Sequence, residues 1–153
     1  MRPGRRTFRL LEIVTVGFPF GAFKILTGMV VASFAHCTVP GWALVGLGGV
    51  DLLLNLIALL FEIVGRVSPL PYCVSEWALV RLGSGRRSWR QLGLSLDAML
   101  AFTLVAAMIG LGWLARLPGE AMGVWSLSVV FNVLGAGLGR LAESVLDLDM
   151  ERG

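Results

Sequence analysis

Four polar residues lie inside long apolar segments of this 153-residue chain. They are Lys24, Asp51, Asn55 and Asn132. Charged side chains are costly in hydrocarbon, so in membranes they pair with one another or line a path for ions or protons. The chemistry open to these residue types is therefore ion pairing, or the passage of protons or small cations.

The segment 44–65 carries a polar stripe. At 3.6 residues per turn, Asp51, Asn55 and Glu62 share one face of a helix, and the opposite face is aliphatic. A short turn joins this segment to the preceding apolar segment 11–35, and an antiparallel pairing places Lys24 near the depth of Asp51. The spacing predicts that Lys24 and Asp51 neutralise each other.

The composition indicates a membrane protein. Hydrophobic residues make up 56% of the chain and charged residues only 15%. Crossing a bilayer takes roughly 20 apolar residues. Four segments meet that length, and they predict an all-α integral membrane four-helix bundle in one polytopic domain. The predicted spans are 11–35, 44–65, 92–114 and 121–141.

Arginine placement predicts the orientation. Eleven of the 13 basic residues lie in the two termini or in the interlude 66–91 between the second and third spans. The positive-inside rule then places both termini and the interlude in the cytoplasm, which suits a bacterial inner membrane. The first apolar segment is longer than a signal-peptide core, so it is expected to stay uncleaved. Tryptophans fit an aromatic belt, with Trp89 at the inner boundary and three others at the outer boundary: Trp42, Trp113 and Trp125.

The interlude 66–91 allows two interpretations. Residues 72–82 form either a short helix lying in the membrane interface, with Trp77 toward lipid, or an ordinary connecting loop. Cys73 is either acylated at the inner interface or an inert thiol.

Small residues predict where the helices approach each other. They recur on single faces of the apolar segments, and such stripes let membrane helices pack closely. Pro19 is expected to kink the first helix. The predicted packing positions are Gly17, Gly21, Gly28, Gly48, Ala136 and Gly139.

A second group of acids is predicted at the cytoplasmic edge, among arginines. It comprises Glu12, Glu62, Asp97 and Glu143. One interpretation is a proton or cation path from these acids inward to the Lys24 pair. The other, which the basic neighbours favour, is a structural ion pair with salt bridges at the membrane edge.

The sequence offers few of the residues that conventional catalysis uses. The chain has one histidine and lacks the usual nucleophile, zinc-protease and phosphate-loop motifs. His36 and Cys37 supply too few ligands for a metal site, so no metal or cofactor is expected. No surface suited to nucleic acid is evident either.

The sequence favours a non-catalytic subunit or scaffold of a larger membrane assembly. Its expected partners are the lipid bilayer and other membrane subunits or further copies of the chain. The alternative is an oligomeric channel or transporter that moves protons or small cations along the stripe of Asp51, Asn55 and Glu62.

Overall fold

The computed structural model describes residues 9–66, 68, 70–71, 73–82 and 87–151, and these residues form helices and connecting turns without a strand. We number the helices α1 to α5. A 3₁₀ turn, Trp113–Arg116, separates the last two. The helices are α1 (Arg9–Ala32), α2 (Thr38–Ile63), α3 (Val74–Leu82), α4 (Arg87–Gly110) and α5 (Gly119–Glu151).

Two of these helices are long and apolar enough to cross a membrane. The mean hydropathy of the most apolar stretch is 1.6 in α1 and 2.2 in α2. In α4 the apolar part is shorter, Ser95–Gly110. The all-α class is thus observed over the described residues, whereas the four-span arrangement and its orientation stay predictions.

The start of α1 is irregular next to Pro19. The five residues Ile13–Gly17 form a π-helical turn, in which the backbone N–H of Phe18 donates to the carbonyl of Ile13. Proline has no N–H and its ring crowds the preceding turn, so an ordinary α-helical hydrogen bond is lost there. A wider turn is one of the known ways in which a helix accommodates such a break.

Helices α1 and α2 pack through a seam of glycines. A Cβ atom on Gly48 would lie 2.7 Å from the carbonyl oxygen of Gly21, and one on Gly28 would lie 2.8 Å from that of Gly41. The two backbones therefore approach more closely than any larger residue allows. This close approach sets the distance between the polar groups that the two helices carry.

Helix α1 is central, because α5 packs against it as well as α2. Trp125 of α5 is only 3% exposed and its Nε1 donates to Thr27 Oγ1 at 2.9 Å. Its ring lies 5.7 Å from that of Phe23, between centroids. The prediction that Trp125 belongs to an outer aromatic belt is therefore wrong: its indole N–H finds a partner inside the protein, and the ring joins the core.

Trp113 and Phe34 pack against the edge of this core, beyond the end of α1. The Trp113 ring centroid lies 4.7 Å from that of Phe34, and the Arg116 guanidinium stacks 4.1 Å from the Phe34 centroid. Trp42, by contrast, is 60% exposed near the start of α2.

The interlude forms a helix, as one of the two interpretations expected, but the start of this helix is buried or half-buried while Trp77 and Leu82 are exposed. Asp51 precedes the end of α2 at Ile63 by twelve residues, which is about 18 Å along a helix axis. The backbone N–H of Val74, the first residue of α3, donates to Asp51 Oδ1 at 2.8 Å. The chain therefore runs back along α2 before α3 begins in the interior.

Helices α3 and α4 form an antiparallel hairpin. Ser75 contacts Asp97, while Glu76, one residue later in α3, contacts Gly93, four residues earlier in α4. A Cβ atom on Gly93 would lie 2.9 Å from the Glu76 Cα. This close packing holds the first turn of α3 against the middle of α2 and α4.

Candidate functional site

The ammonium group of Lys24 lies between two carboxylates. Its Nζ is 2.5 Å from Asp51 Oδ2 and 2.6 Å from Asp97 Oδ1. The three side chains are 3%, 1% and 8% exposed, respectively. The Phe20 ring, 4.1 Å from Nζ at its centroid, covers one side of the ammonium. We call Lys24, Asp51 and Asp97 the Lys24 cluster.

The start of α3 supports the two carboxylates of the cluster. Val74 donates its N–H to Asp51 Oδ1, and the Ser75 hydroxyl donates to Asp97 Oδ1 at 3.3 Å. The first N–H groups of a helix have no partner within it and carry a partial positive charge, so a carboxylate there is stabilised. The cluster thus joins four helices, with α3 contributing backbone and hydroxyl donors.

Sequence reasoning anticipated the pairing of Lys24 with Asp51, and the structure contains it. It misplaced Asp97, which was expected at the cytoplasmic edge among arginines. Helix α4 begins at Arg87 rather than near 92, so Asp97 lies ten residues into the helix. Lys24 is within reach at that depth, and its second hydrogen bond goes to Asp97.

Asn55 lies one turn after Asp51 on the same face of α2. It is buried, and its Nδ2 donates to the backbone carbonyl of Asp51 at 2.8 Å. A Cβ atom on Gly17 would lie 2.0 Å from Asn55 Oδ1, so the amide occupies the space that this glycine leaves open. Asn55 fills the interhelix space beneath the cluster rather than binding Lys24.

The fourth residue expected at mid-depth, Asn132, does not join the cluster. It is half-buried on α5, and it is not among the described partners of Lys24 or Asp51. A buried residue of α5 that does contact α1 is Trp125, two turns earlier, through its bond to Thr27.

The acids predicted at the edge separate into different environments. Glu62 is buried, and its Oε1 lies 3.4 Å from Arg9 Nη1, whose side chain is 34% exposed. Glu12 is exposed one turn after Arg9. The side chain of Glu143 lies outside the described residues, as do the surroundings of Ala136 and Gly139. The contact between Glu62 and Arg9 is of the predicted type, an acid paired with an arginine.

Two buried side chains beside the cluster were not predicted from the sequence to lie there. Glu76 is buried where α3 packs on α4, and Cys73 is buried just before α3. The signal that could have found them is weak, because a short segment that follows two prolines normally indicates a surface loop.

Cys73 is expected to resist alkylation in the folded protein. Burial raises the pKa of its thiol to about 12, and the thiolate is the reactive form. At neutral pH a maleimide should modify Cys37, which is only half-buried, and leave Cys73 intact until the protein is unfolded in SDS. Intact-mass spectrometry of the Cys37→Ser variant isolates Cys73. Equal labelling rates with and without SDS would contradict this expectation and would leave acylation of Cys73 as an interpretation to test.

The chemistry available to the cluster is proton binding and charge pairing. Among the described residues, no group of three or more histidine, cysteine, aspartate or glutamate side chains is arranged to hold a metal ion. The one base and two acids of the cluster are instead in direct hydrogen-bond contact, so a proton can pass between the ammonium and either carboxylate without another group.

Comparison with known proteins assigns no relative. No family model matches the chain, and no curated protein or solved structure is significantly similar to it.

Proposed function

We propose that the chain is a non-catalytic, multi-pass protein of a bacterial inner membrane and acts as a subunit or scaffold of a larger membrane assembly. In this arrangement α1, α2, α4 and α5 span the bilayer, both termini face the cytoplasm, and α3 is a re-entrant helix. Irregular backbone at membrane depth is tolerated where protein buries it, which suits the return of the chain along α2.

The observation that carries this proposal is the closed geometry of the Lys24 cluster. Its charged groups are buried and bonded to one another, and they join four helices. A buried ionic network of this kind specifies how helices are arranged and leaves little room for a substrate. The outward faces of the helices are apolar, with Leu53 and Phe102 among the exposed residues. Such faces suit contact with lipid and with other membrane helices.

Copurification tests the proposal. The tagged chain is extracted from its native membrane into mild detergent or lipid nanodiscs and analysed by native mass spectrometry. A stoichiometric partner of different sequence is the expected result. The matched control is an Arg81→Gln variant, which alters an exposed residue stacked on Trp77 and should keep the partner. A chain recovered only alone or with copies of itself would contradict the subunit proposal.

A second candidate is the transport of protons or small cations by an oligomer. The observation that favours it is the buried stripe on α2, which runs from the cluster through Asn55 and Ala58 to Glu62. Intramembrane acids of this kind often mark ion pathways.

Flux measurements in proteoliposomes distinguish the two candidates. The test variant is Lys24→Met/Asp51→Asn/Asp97→Asn, which removes all three ionisable groups with little change in volume. A transporter using this path would lose its flux, whereas a structural subunit would keep its partner. Wild-type protein that shows no proton or sodium flux would count against transport.

A further inference from the structure

The charges of the Lys24 cluster do not balance. One ammonium faces two carboxylates, so the fully ionised cluster carries one excess negative charge. An uncompensated charge in a low-dielectric interior is costly, and buried acids commonly avoid the cost by binding a proton.

Among the described residues, Lys24 is the cation that contacts the cluster's carboxylates, whereas Arg81 of α3 is exposed and stacks on Trp77. Helix α1 contributes Lys24 itself. Around the start of α3 the titratable groups are Cys73 and Glu76, both of which can only add negative charge. The described side chains of α5 bring no titratable group to the cluster.

Arg9 is too distant to compensate the cluster. Arg9 pairs with Glu62, and Glu62 lies eleven residues beyond Asp51 on α2, about 16 Å along the helix axis. The first turn of α3 provides a partial positive charge of about one half. It acts on Asp51, to which the Val74 N–H points, and so the excess charge is left on Asp97.

The hydrogen bonds identify the atom that is free to carry a proton. Both oxygens of Asp51 accept hydrogen bonds, Oδ2 from Lys24 and Oδ1 from Val74. Both described bonds to Asp97 go to Oδ1, which leaves Oδ2 of a side chain that is only 8% exposed. Asp97 is also the most accessible of the three residues, so its outer oxygen is the one that water reaches most easily.

We infer that the Lys24 cluster is a binding site for one exchangeable proton, held on Oδ2 of Asp97. The proton comes from hydronium, which leaves as water when the Asp97 carboxylate becomes a carboxylic acid, and no electron transfer is involved. The Asp97 carbonyl oxygen, Oδ1, then accepts hydrogen bonds from both Lys24 and Ser75. This inference goes beyond the proposed function and holds for either a subunit or a transporter.

Infrared difference spectroscopy of the full chain in lipid nanodiscs tests the inference. The wild-type protein is expected to show the carbonyl band of a buried carboxylic acid at neutral pH, with a shift in deuterated water. Asp97→Asn should lose the band. Asp51→Asn should lose it too, because the remaining pair of Lys24 and Asp97 is neutral without an added proton.

Three further variants locate the proton. Ser75→Ala removes a hydrogen bond to Asp97 Oδ1, so the band should move to higher frequency if Asp97 carries the proton. Glu62→Gln and Glu76→Gln replace the other buried acids and should leave the band unchanged. Protection of Cys73 from maleimide reports whether each variant keeps α3 in place.

The contrary results are equally specific. The inference is wrong if wild-type protein has no carboxylic acid band at neutral pH, or if Glu62→Gln or Glu76→Gln removes it. If Cys73 stays protected in Asp51→Asn and the carboxylic acid band persists, excess negative charge is not the reason why the cluster binds a proton. If Cys73 stays protected in Ser75→Ala but the carbonyl band does not shift, the proton is not on Asp97. None of these outcomes depends on whether a partner copurifies.

Discussion

The Lys24→Met variant is expected to lose most of its folded yield. Methionine keeps the length of the side chain but leaves Asp51 and Asp97 buried without their shared donor. Removing one partner of a buried ion pair typically costs about 3–5 kcal/mol, a large part of the stability of a small domain. Thermal unfolding in nanodiscs, followed by circular dichroism, and the yield of monodisperse protein measure the loss.

Removing all three ionisable groups together should restore much of the stability lost in Lys24→Met. In Lys24→Met/Asp51→Asn/Asp97→Asn no formal charge is left in the cluster, and the asparagine oxygens still accept hydrogen bonds from α3. Replacement of a whole buried ionic group by neutral residues is often nearly neutral. A triple variant as unstable as Lys24→Met would show that the ion pairs contribute net stability.

A surface cation provides the matched control. Arg116→Met also replaces a basic residue by methionine, but Arg116 is exposed and stacks on Phe34. Exposed contacts of this kind contribute about 0.5–1 kcal/mol. A comparable loss of folded yield in both single variants would mean that loss of basic charge in general, rather than burial of Lys24, destabilises the protein.

The parts of the fold that the sequence predicted best are those set by local periodicity. The segments that form α1 and α2 are long and apolar. A short turn joins them, and a short turn between two long helices places them side by side in antiparallel directions. The 3.6-residue period placed Asp51, Asn55 and Glu62 on one face, and all three are buried in the structure. Helix spacing and turn length together therefore brought Lys24 within reach of Asp51.

The position of α3 could not be predicted in the same way. Pro69 and Pro71 precede a nine-residue helix whose composition suits a loop or an interface equally well. Its location depends on a tertiary contact, the bond between the Val74 N–H and Asp51, for which the sequence of the segment gives no signal. Asp97 was misplaced for the same reason, because its depth follows from the packing of α4 on α3.

Trp125 shows the limit of positional rules for tryptophan. Its place near the start of a predicted span suited the membrane interface, where an indole meets both lipid and water. A buried indole is equally well satisfied when its N–H has a partner, and Thr27 provides one on the inner face of α1. The rotation of α5 about its axis separates these outcomes. At 3.6 residues per turn Trp125 shares a face with the packing positions predicted at Ala136 and Gly139, so the sequence did carry a signal for burial.

A single methyl group added at Gly48 should separate α1 from α2 and disturb the cluster. The new Cβ atom would lie 2.7 Å from the Gly21 carbonyl oxygen and 2.9 Å from the Lys24 Cβ, and the first of these belongs to backbone that cannot rotate away. Overpacking of this kind typically costs about 1–3 kcal/mol. Because Asp51 follows Gly48 by one turn, we expect Gly48→Ala to lower the melting temperature and also to speed maleimide labelling of Cys73.

The adjacent glycine supplies the control for Gly48→Ala. A Cβ atom on Gly49 meets nothing within 4 Å, so Gly49→Ala changes the same helix without touching α1. Alanine favours a helix over glycine by about 1 kcal/mol, and the control should therefore be neutral or slightly stabilising, with Cys73 still protected. If both variants melt alike, the close approach of the two backbones at Gly48 does not limit stability. If Gly48→Ala melts early but Cys73 stays protected, the seam stabilises the α1–α2 pair without positioning α3.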